Sequence, residues 1–120
     1  MITALITSRL KAFKYAWDGL VDLFLNQEPV LVHLCAIVVA LGTAWFLEFP
    51  AWKWAAIVGC IGFTLTTEAL NTAVEYVVDL VSPDYHELAG KAKDIAAAAV
   101  MLSALTAMVV FGILIYDEVG

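Results

Sequence analysis

The chain has 120 residues, 63% of them hydrophobic and 15% charged, with a formal net charge of -6. Its mean hydropathy of +0.92 is too apolar for a water-soluble fold of this size, and the length fits a single domain spanning residues 1–120. The acidic balance excludes nucleic acid as a partner, because neutralising phosphates takes clustered Lys and Arg.

Residues 3–25 predict an amphipathic surface helix. Leu10, Phe13, Trp17, Leu20, Val21 and Phe24 fall on one face, and Lys11, Lys14, Asp18 and Asp22 on the opposite one. Arg9, Lys11 and Lys14 interrupt any signal-peptide core, so the segment is not read as a cleavable leader. A helix of this kind lies along a lipid interface. The other reading, an ordinary amphipathic core helix, has little soluble chain to pack against. Ala12, Ala16 and Gly19 on its flank are small enough for another helix to approach.

Three stretches follow that are long enough to cross a hydrocarbon core of about 30 Å. The first is expected over residues 30–49, between Pro29 and Pro50. The second is expected over 52–81 and ends at Ser82-Pro83; its last turns would project into the headgroup region. The third is expected over 94–116, where Ala99, Ser103 and Ala107 recur at four-residue spacing as a packing stripe. Cys35 and Cys60 lie inside apolar runs and read as small packing residues. His33 and His86 do not have zinc-site spacing and read as hydrogen-bonded structural or contact residues. The fold class is thus all-α integral membrane: a surface helix plus three transmembrane helices. Basic residues concentrate in the N-terminal segment and the 82–93 loop. That bias puts the N-terminus and this loop in the cytoplasm, and the acidic C-terminus outside.

The second spanning helix carries the most informative pattern. At 100° per residue, Thr64, Glu68, Asn71, Glu75 and Asp79 share an arc of about 80°. Glu68 falls about one turn inside the apolar zone, with Glu75 at its boundary and Asp79 beyond. A carboxylate in hydrocarbon is costly and normally faces a bundle interior or a polar cavity. Glu68 is placed there as a general base, and the better hydrated Glu75 suits a hard cation such as Mg²⁺. Alternatively, Glu68 and Asn71 are interhelical hydrogen-bond glue, and Asp79 is a solvated helix end.

Beside the top of this stripe runs the polar segment Pro83-Asp84-Tyr85-His86-Glu87-Leu88-Ala89-Gly90-Lys91-Ala92-Lys93-Asp94. Lys91 and Lys93 could neutralise phosphate or simply mark the cytoplasmic side, and Tyr85 or His86 could contact a base. Asp94 could serve chemistry or cap the third helix. Gly90-Lys91 is not a P-loop, because Tyr85 stands where that motif needs glycine.

The run Glu68-Ala-Leu-Asn71-Thr-Ala-Val-Glu75-Tyr-Val-Val-Asp79, with Tyr85-His86-Glu87-Leu88 and Lys93-Asp94 downstream, closely resembles the bacterial membrane diacylglycerol kinase and undecaprenol kinase family. Phe13-Lys14-Tyr15-Ala16-Trp17-Asp18-Gly19-Leu20 resembles that family's surface helix, so the likeness covers essentially the whole chain. It implies an ATP- and Mg²⁺-dependent lipid kinase of the bacterial inner or plasma membrane, assembled as a homotrimer with active sites between protomers. Glu68 would be the general base and Glu75 would bind the metal that bridges the ATP phosphates. Asn71 would support that site, with Lys93 and Asp94 meeting the nucleotide. Asp79, Asp84, Tyr85 and His86 would lie beside the nucleotide, with Tyr15 and Arg9 reaching it from the surface helix. In one departure, an ungapped match puts Gln27 where the family has a second metal-binding glutamate, so that either Glu28 serves after a local shift in the chain or the site manages with Gln27. Glu28, one residue later, is the better ligand, since an ionised carboxylate suits Mg²⁺ more than an amide does.

Asp79-Leu80-Val81-Ser82-Pro83 and His33 look more like the polyprenol kinases of the family, which favours undecaprenol slightly over diacylglycerol. The rival from another class is a small oligomeric transporter or proton- or cation-conducting protein using Glu68 within the bilayer. That reading leaves the gathering of Glu75, Asp79, Lys93 and Asp94 at one face unexplained.

Overall fold

The computed structural model describes all 120 residues, Met1–Gly120. It is all-α, with α1 (Ile2–Asn26), α2 (Glu28–Phe46), α3 (Ala51–Val81) and α4 (Glu87–Val119). The last three are long and apolar enough to cross a membrane, the pattern of a multi-pass membrane protein, and α1 is not. Packing divides the chain into two compact units, Met1–Val32 and His33–Gly120.

In the N-terminal unit, α1 is an uninterrupted helix whose apolar side chains stay uncovered. Leu10, Phe13 and Trp17 are each more than 60% exposed, and Leu23 alone on this helix is buried. Asn26 donates to Asp22 at 2.7 Å across the final turn. Gln27 then leaves the helix in an extended conformation, and Glu28 opens α2.

In the second unit, α2 ends earlier than the sequence pattern suggests, at Phe46 rather than residue 49. The physical reason is a Schellman turn: Phe49 N–H donates to the Ala44 carbonyl at 3.0 Å and Glu48 N–H to that of Trp45 at 3.1 Å. Glu48 takes the left-handed conformation, φ 54°, while Ala44 and Phe49 are both buried. Pro50 then caps α3. That helix has 31 residues, and at 1.5 Å each it reaches about 46 Å, well beyond the hydrocarbon thickness.

The other boundary to be corrected is at the start of α4. The expected start at residue 94 is seven residues late, because the helix begins at Glu87. His86 is its N-cap, with Nδ1 accepting from Leu88 N–H at 3.1 Å. Asp94 therefore caps nothing. It lies in the helix body, and residues 87–93 are helical instead of loop.

Helices α3 and α4 pack as an antiparallel hairpin. Lys53 meets Leu114 and Glu118 at one end, Thr67 meets Ser103 midway, and Asp79 meets Lys93 at the other. Of the expected small-residue stripe, Ser103 is 1% exposed and Ala107 half-buried, but Ala99 is exposed. The face that loses solvent runs instead through Ala96, Val100, Ser103 and Ala107. This alternating three- and four-residue spacing follows a helix more closely than a strict step of four, which drifts around it.

The core is small and lies at the α2–α3 turn, built from Ala44, Phe49, Ile57 and Leu114. Farther along α3 the buried side chains become polar: Thr64, Glu68, Asn71 and Thr72. Large apolar residues point outward, including Trp45, Phe46, Val58 and Met108. A membrane protein has this distribution because lipid needs no shielding from Leu or Val, whereas polar groups need partners inside.

Candidate active site

Glu68 is the centre of the buried polar stripe. One helical strand of neighbours on α3 surrounds it: Thr64 four residues before, Asn71 three after and Glu75 seven after. Its side chain is only 4% exposed, and His33 of α2 reaches it, Nε2 to Oε2, at 3.1 Å. A carboxylate at this depth without a partner would cost several kcal/mol, on the order of the price of any charge at a helix centre. The imidazole offsets part of that cost.

Asn71 is 9% exposed and orients its amide toward the next acid, Nδ2 donating to Glu75 Oε1 at 3.2 Å. Its Oδ1 has no partner, nor does the Thr64 hydroxyl, although both atoms are buried. Two buried polar atoms without partners thus flank one buried carboxylate, against the usual pairing of buried polar groups. Glu75 is half-buried. Above it, Asp79 pairs with Lys93 of α4 at 2.5 Å, joining the two helices near their loop.

The stripe is matched by sequence likeness along nearly the full chain. The model of the prokaryotic diacylglycerol kinase family matches residues 14–115. The chain belongs to that family. Among its relatives, the diacylglycerol kinase of Escherichia coli (strain K12) is 32% identical over 114 residues, covering 95% of this chain and 93% of that one. The diacylglycerol kinase of Synechocystis sp. is 40% identical over 107 residues, 88% of this chain and 61% of that one. The undecaprenol kinase of Bacillus subtilis (strain 168) is 33% identical over 106 residues, 88% of this chain and 85% of that one.

For this member of the prokaryotic diacylglycerol kinase family, the structure brings some expected residues together and leaves others apart. Glu68, Asn71 and Glu75 form one connected stripe, with the Asp79–Lys93 pair at its upper end. Asp94 is exposed on α4 one residue beyond Lys93. In the connection, the Asp84 carbonyl accepts from Ser82 Oγ at 2.8 Å, Tyr85 is 90% exposed, and His86 is committed to its cap. Lys91 pairs with Glu87 one turn away at 3.4 Å. In the N-terminal unit, Arg9 and Tyr15 are exposed along α1. Glu28 stands exposed at the first residue of α2, and Gln27 is half-buried in the turn before it.

The carboxylate and amide oxygens at Glu75 and Asn71 are the hard donors that Mg²⁺ takes, and Asn71 Oδ1 is a buried oxygen still lacking a partner. No three acidic, His or Cys side chains converge as a metal cage. Mg²⁺ does not require one, because it is commonly held by one or two carboxylates together with substrate phosphates.

Sequence reasoning missed two contacts. The His33–Glu68 bond joins residues 35 apart, and no spacing within one helix names that partner for His33. The second is at the far end. Lys53, near the start of α3, is 1% exposed and bonds the Leu114 carbonyl at 2.9 Å, Asp117 at 2.8 Å and Glu118 at 2.7 Å. The rings of Phe49 and Trp52 lie 5.1 and 5.4 Å from its ammonium. The signal was present: one lysine near the start of α3 and two acids near the end of its antiparallel neighbour.

Proposed function

We propose that the chain transfers the γ-phosphoryl group of ATP, with Mg²⁺, to the hydroxyl of a membrane lipid. Membership of a kinase family supports a phosphotransferase reaction. The observation that carries the reading furthest is Glu68, a carboxylate buried on an apolar helix between two unpartnered polar atoms. A base at that depth suits an alcohol anchored in the bilayer, and the acidic and basic groups above it suit a phosphate donor arriving from water.

In the proposed reaction the lipid hydroxyl oxygen attacks the γ-phosphorus while its proton passes to Glu68. The bond from that phosphorus to the bridging oxygen breaks, and the electron pair leaves with ADP. Asn71 holds Glu75 through its amide and presents Oδ1 to the same space. Glu75, joined by Glu28, would hold Mg²⁺, which when bound neutralises phosphate charge and aligns the donor. Lys93, whose ammonium is paired with Asp79, would counter the charge of the transferred group. Asp94, Asp84, Tyr85, His86, Tyr15 and Arg9 are assigned to the nucleotide on family resemblance.

The site faces the cytoplasm of a bacterial membrane in this proposal, where ATP is available, with the N-terminus on the same side and the C-terminus outside. The functional unit is a homotrimer. Of the two alcohols, undecaprenol is taken ahead of diacylglycerol. The support is the resemblance of Asp79-Leu80-Val81-Ser82-Pro83 and His33 to the polyprenol kinases; relatives named for either lipid are similar at comparable identity.

The test offers undecaprenol and diacylglycerol in parallel with labelled ATP and Mg²⁺, for wild type and Glu68→Gln. A labelled lipid is expected from wild type, with a loss of about 10²–10⁴-fold in the variant, the usual worth of a general base. Folded wild-type protein that labels neither lipid would sink the kinase proposal. Proton or cation flux through reconstituted protein would then be measured instead.

A further inference from the structure

We infer that His33 is a positioning residue for this chemistry, holding one oxygen of Glu68 so that the other is aimed at the lipid hydroxyl. The inference rests on the reading of Glu68 as the base. The terminal torsion of a glutamate is broad and roughly two-fold, so its carboxylate does not fix its own direction. On α3 nothing else named along the stripe restrains it: the Thr64 hydroxyl is unpartnered, and the Asn71 amide donates to Glu75. The restraint comes from another helix, through the 3.1 Å contact of His33 Nε2 with Oε2.

Both groups are well shielded, at 17% exposure for the imidazole and 4% for the carboxylate. A hydrogen bond screened from water in this way is directional and strong enough to select one arrangement. With Nε2 carrying its hydrogen, His33 donates to Oε2 and leaves Oε1 with its lone pairs free. The lipid hydroxyl proton then goes to Oε1, the hydroxyl oxygen bonds to phosphorus, and ADP departs with the electrons of the broken bond. The ring neither gains nor loses a proton in this sequence. Its contribution is orientation, of the kind that places a reacting group within fractions of an ångström of its target.

A merely structural bridge between α2 and α3 would use the same contact, so the test must separate the two. Wild type, His33→Ala, His33→Gln, Glu68→Gln and the His33→Ala/Glu68→Gln double variant are compared in mixed micelles for kcat, for KM of ATP and lipid, and for thermal midpoint. His33→Ala is expected to lose about tenfold to a hundredfold in kcat with each KM within about twofold, as misplacement of a reacting group does. Glutamine can place an amide donor at a similar reach, so His33→Gln is expected to recover most of the lost kcat. The double variant should be no slower than Glu68→Gln.

A His33→Ala protein with wild-type kcat would overturn the inference while leaving Glu68 untouched. So would a folded His33→Gln protein that fails to recover. Should His33→Ala not fold, recovery in His33→Gln judged against Glu68→Gln decides the matter. If instead Glu68→Gln keeps wild-type kcat, the base reading itself falls, and His33 falls with it.

Discussion

Glu48 holds the left-handed conformation at φ 54°, where an L side chain crowds its own backbone and costs roughly 1–2 kcal/mol. Glycine escapes that cost but loses more chain entropy on folding. Glu48→Gly is therefore expected to stabilise by about 0.5–1 kcal/mol, and Glu48→Val, with a branched β-carbon, to destabilise. Thermal unfolding in detergent reads both, and the idea fails if the two shift in the same direction. Glu48 was legible in sequence only as a polar residue near a helix end, because no pattern announces a left-handed cap without glycine. Glu68, Asn71 and Glu75 were legible for the opposite reason. Their common face follows from helical spacing within one element and needs no knowledge of any other. The partner of Glu68 was hidden, since the register between α2 and α3 that brings His33 to it is set by packing.

Helix existence was readable from apolar length, whereas two helix ends were not. The Schellman turn shortened α2 and the His86 cap lengthened α4, both through local hydrogen bonds that hydropathy does not register. The pairing of α3 with α4 places Lys53 against the end of its neighbour, and here the consequences of substitution are asymmetric. Lys53 is 1% exposed, while its partners Asp117 and Glu118 are 62% and 29% exposed. Taking the lysine away leaves acids that water can still reach, and methionine fills much of the space. Neutralising both acids leaves a shielded ammonium with neutral acceptors and two ring faces but no counter-charge. The Asp117→Asn/Glu118→Gln double variant is thus expected to lower the thermal midpoint more than Lys53→Met does. The reverse order would mean that the ammonium reaches water at this membrane face and that the acids contribute little.

At the scale of the molecule, the same excess of apolar surface that identified a membrane protein also leaves large side chains for lipid or for other copies to cover. Sequence physics did not fix how many copies. Within His33–Gly120 the carboxylate next to Glu68 on the stripe is Glu75, held by Asn71, while Asp79 is paired with Lys93. A second oxygen ligand for Mg²⁺ from Glu28 is the natural complement if the proposed site lies between protomers. Glu28→Gln should then lose activity, and Gln27→Ala should keep it. The decisive experiment mixes two inactive variants, Glu28→Gln and Glu68→Gln, unfolds them together and lets them reassemble at equal amounts. In a cyclic trimer whose sites draw Glu68 from one protomer and Glu28 from the next, about a quarter of the sites receive both intact residues. Activity should rise from near zero to about that fraction of wild type, because a site's two halves are chosen independently. If each site were built within one protomer, every site would carry one of the two lesions and mixing would restore nothing. A mixture that stays inactive, from variants that reassemble as well as wild type does, rejects the shared site.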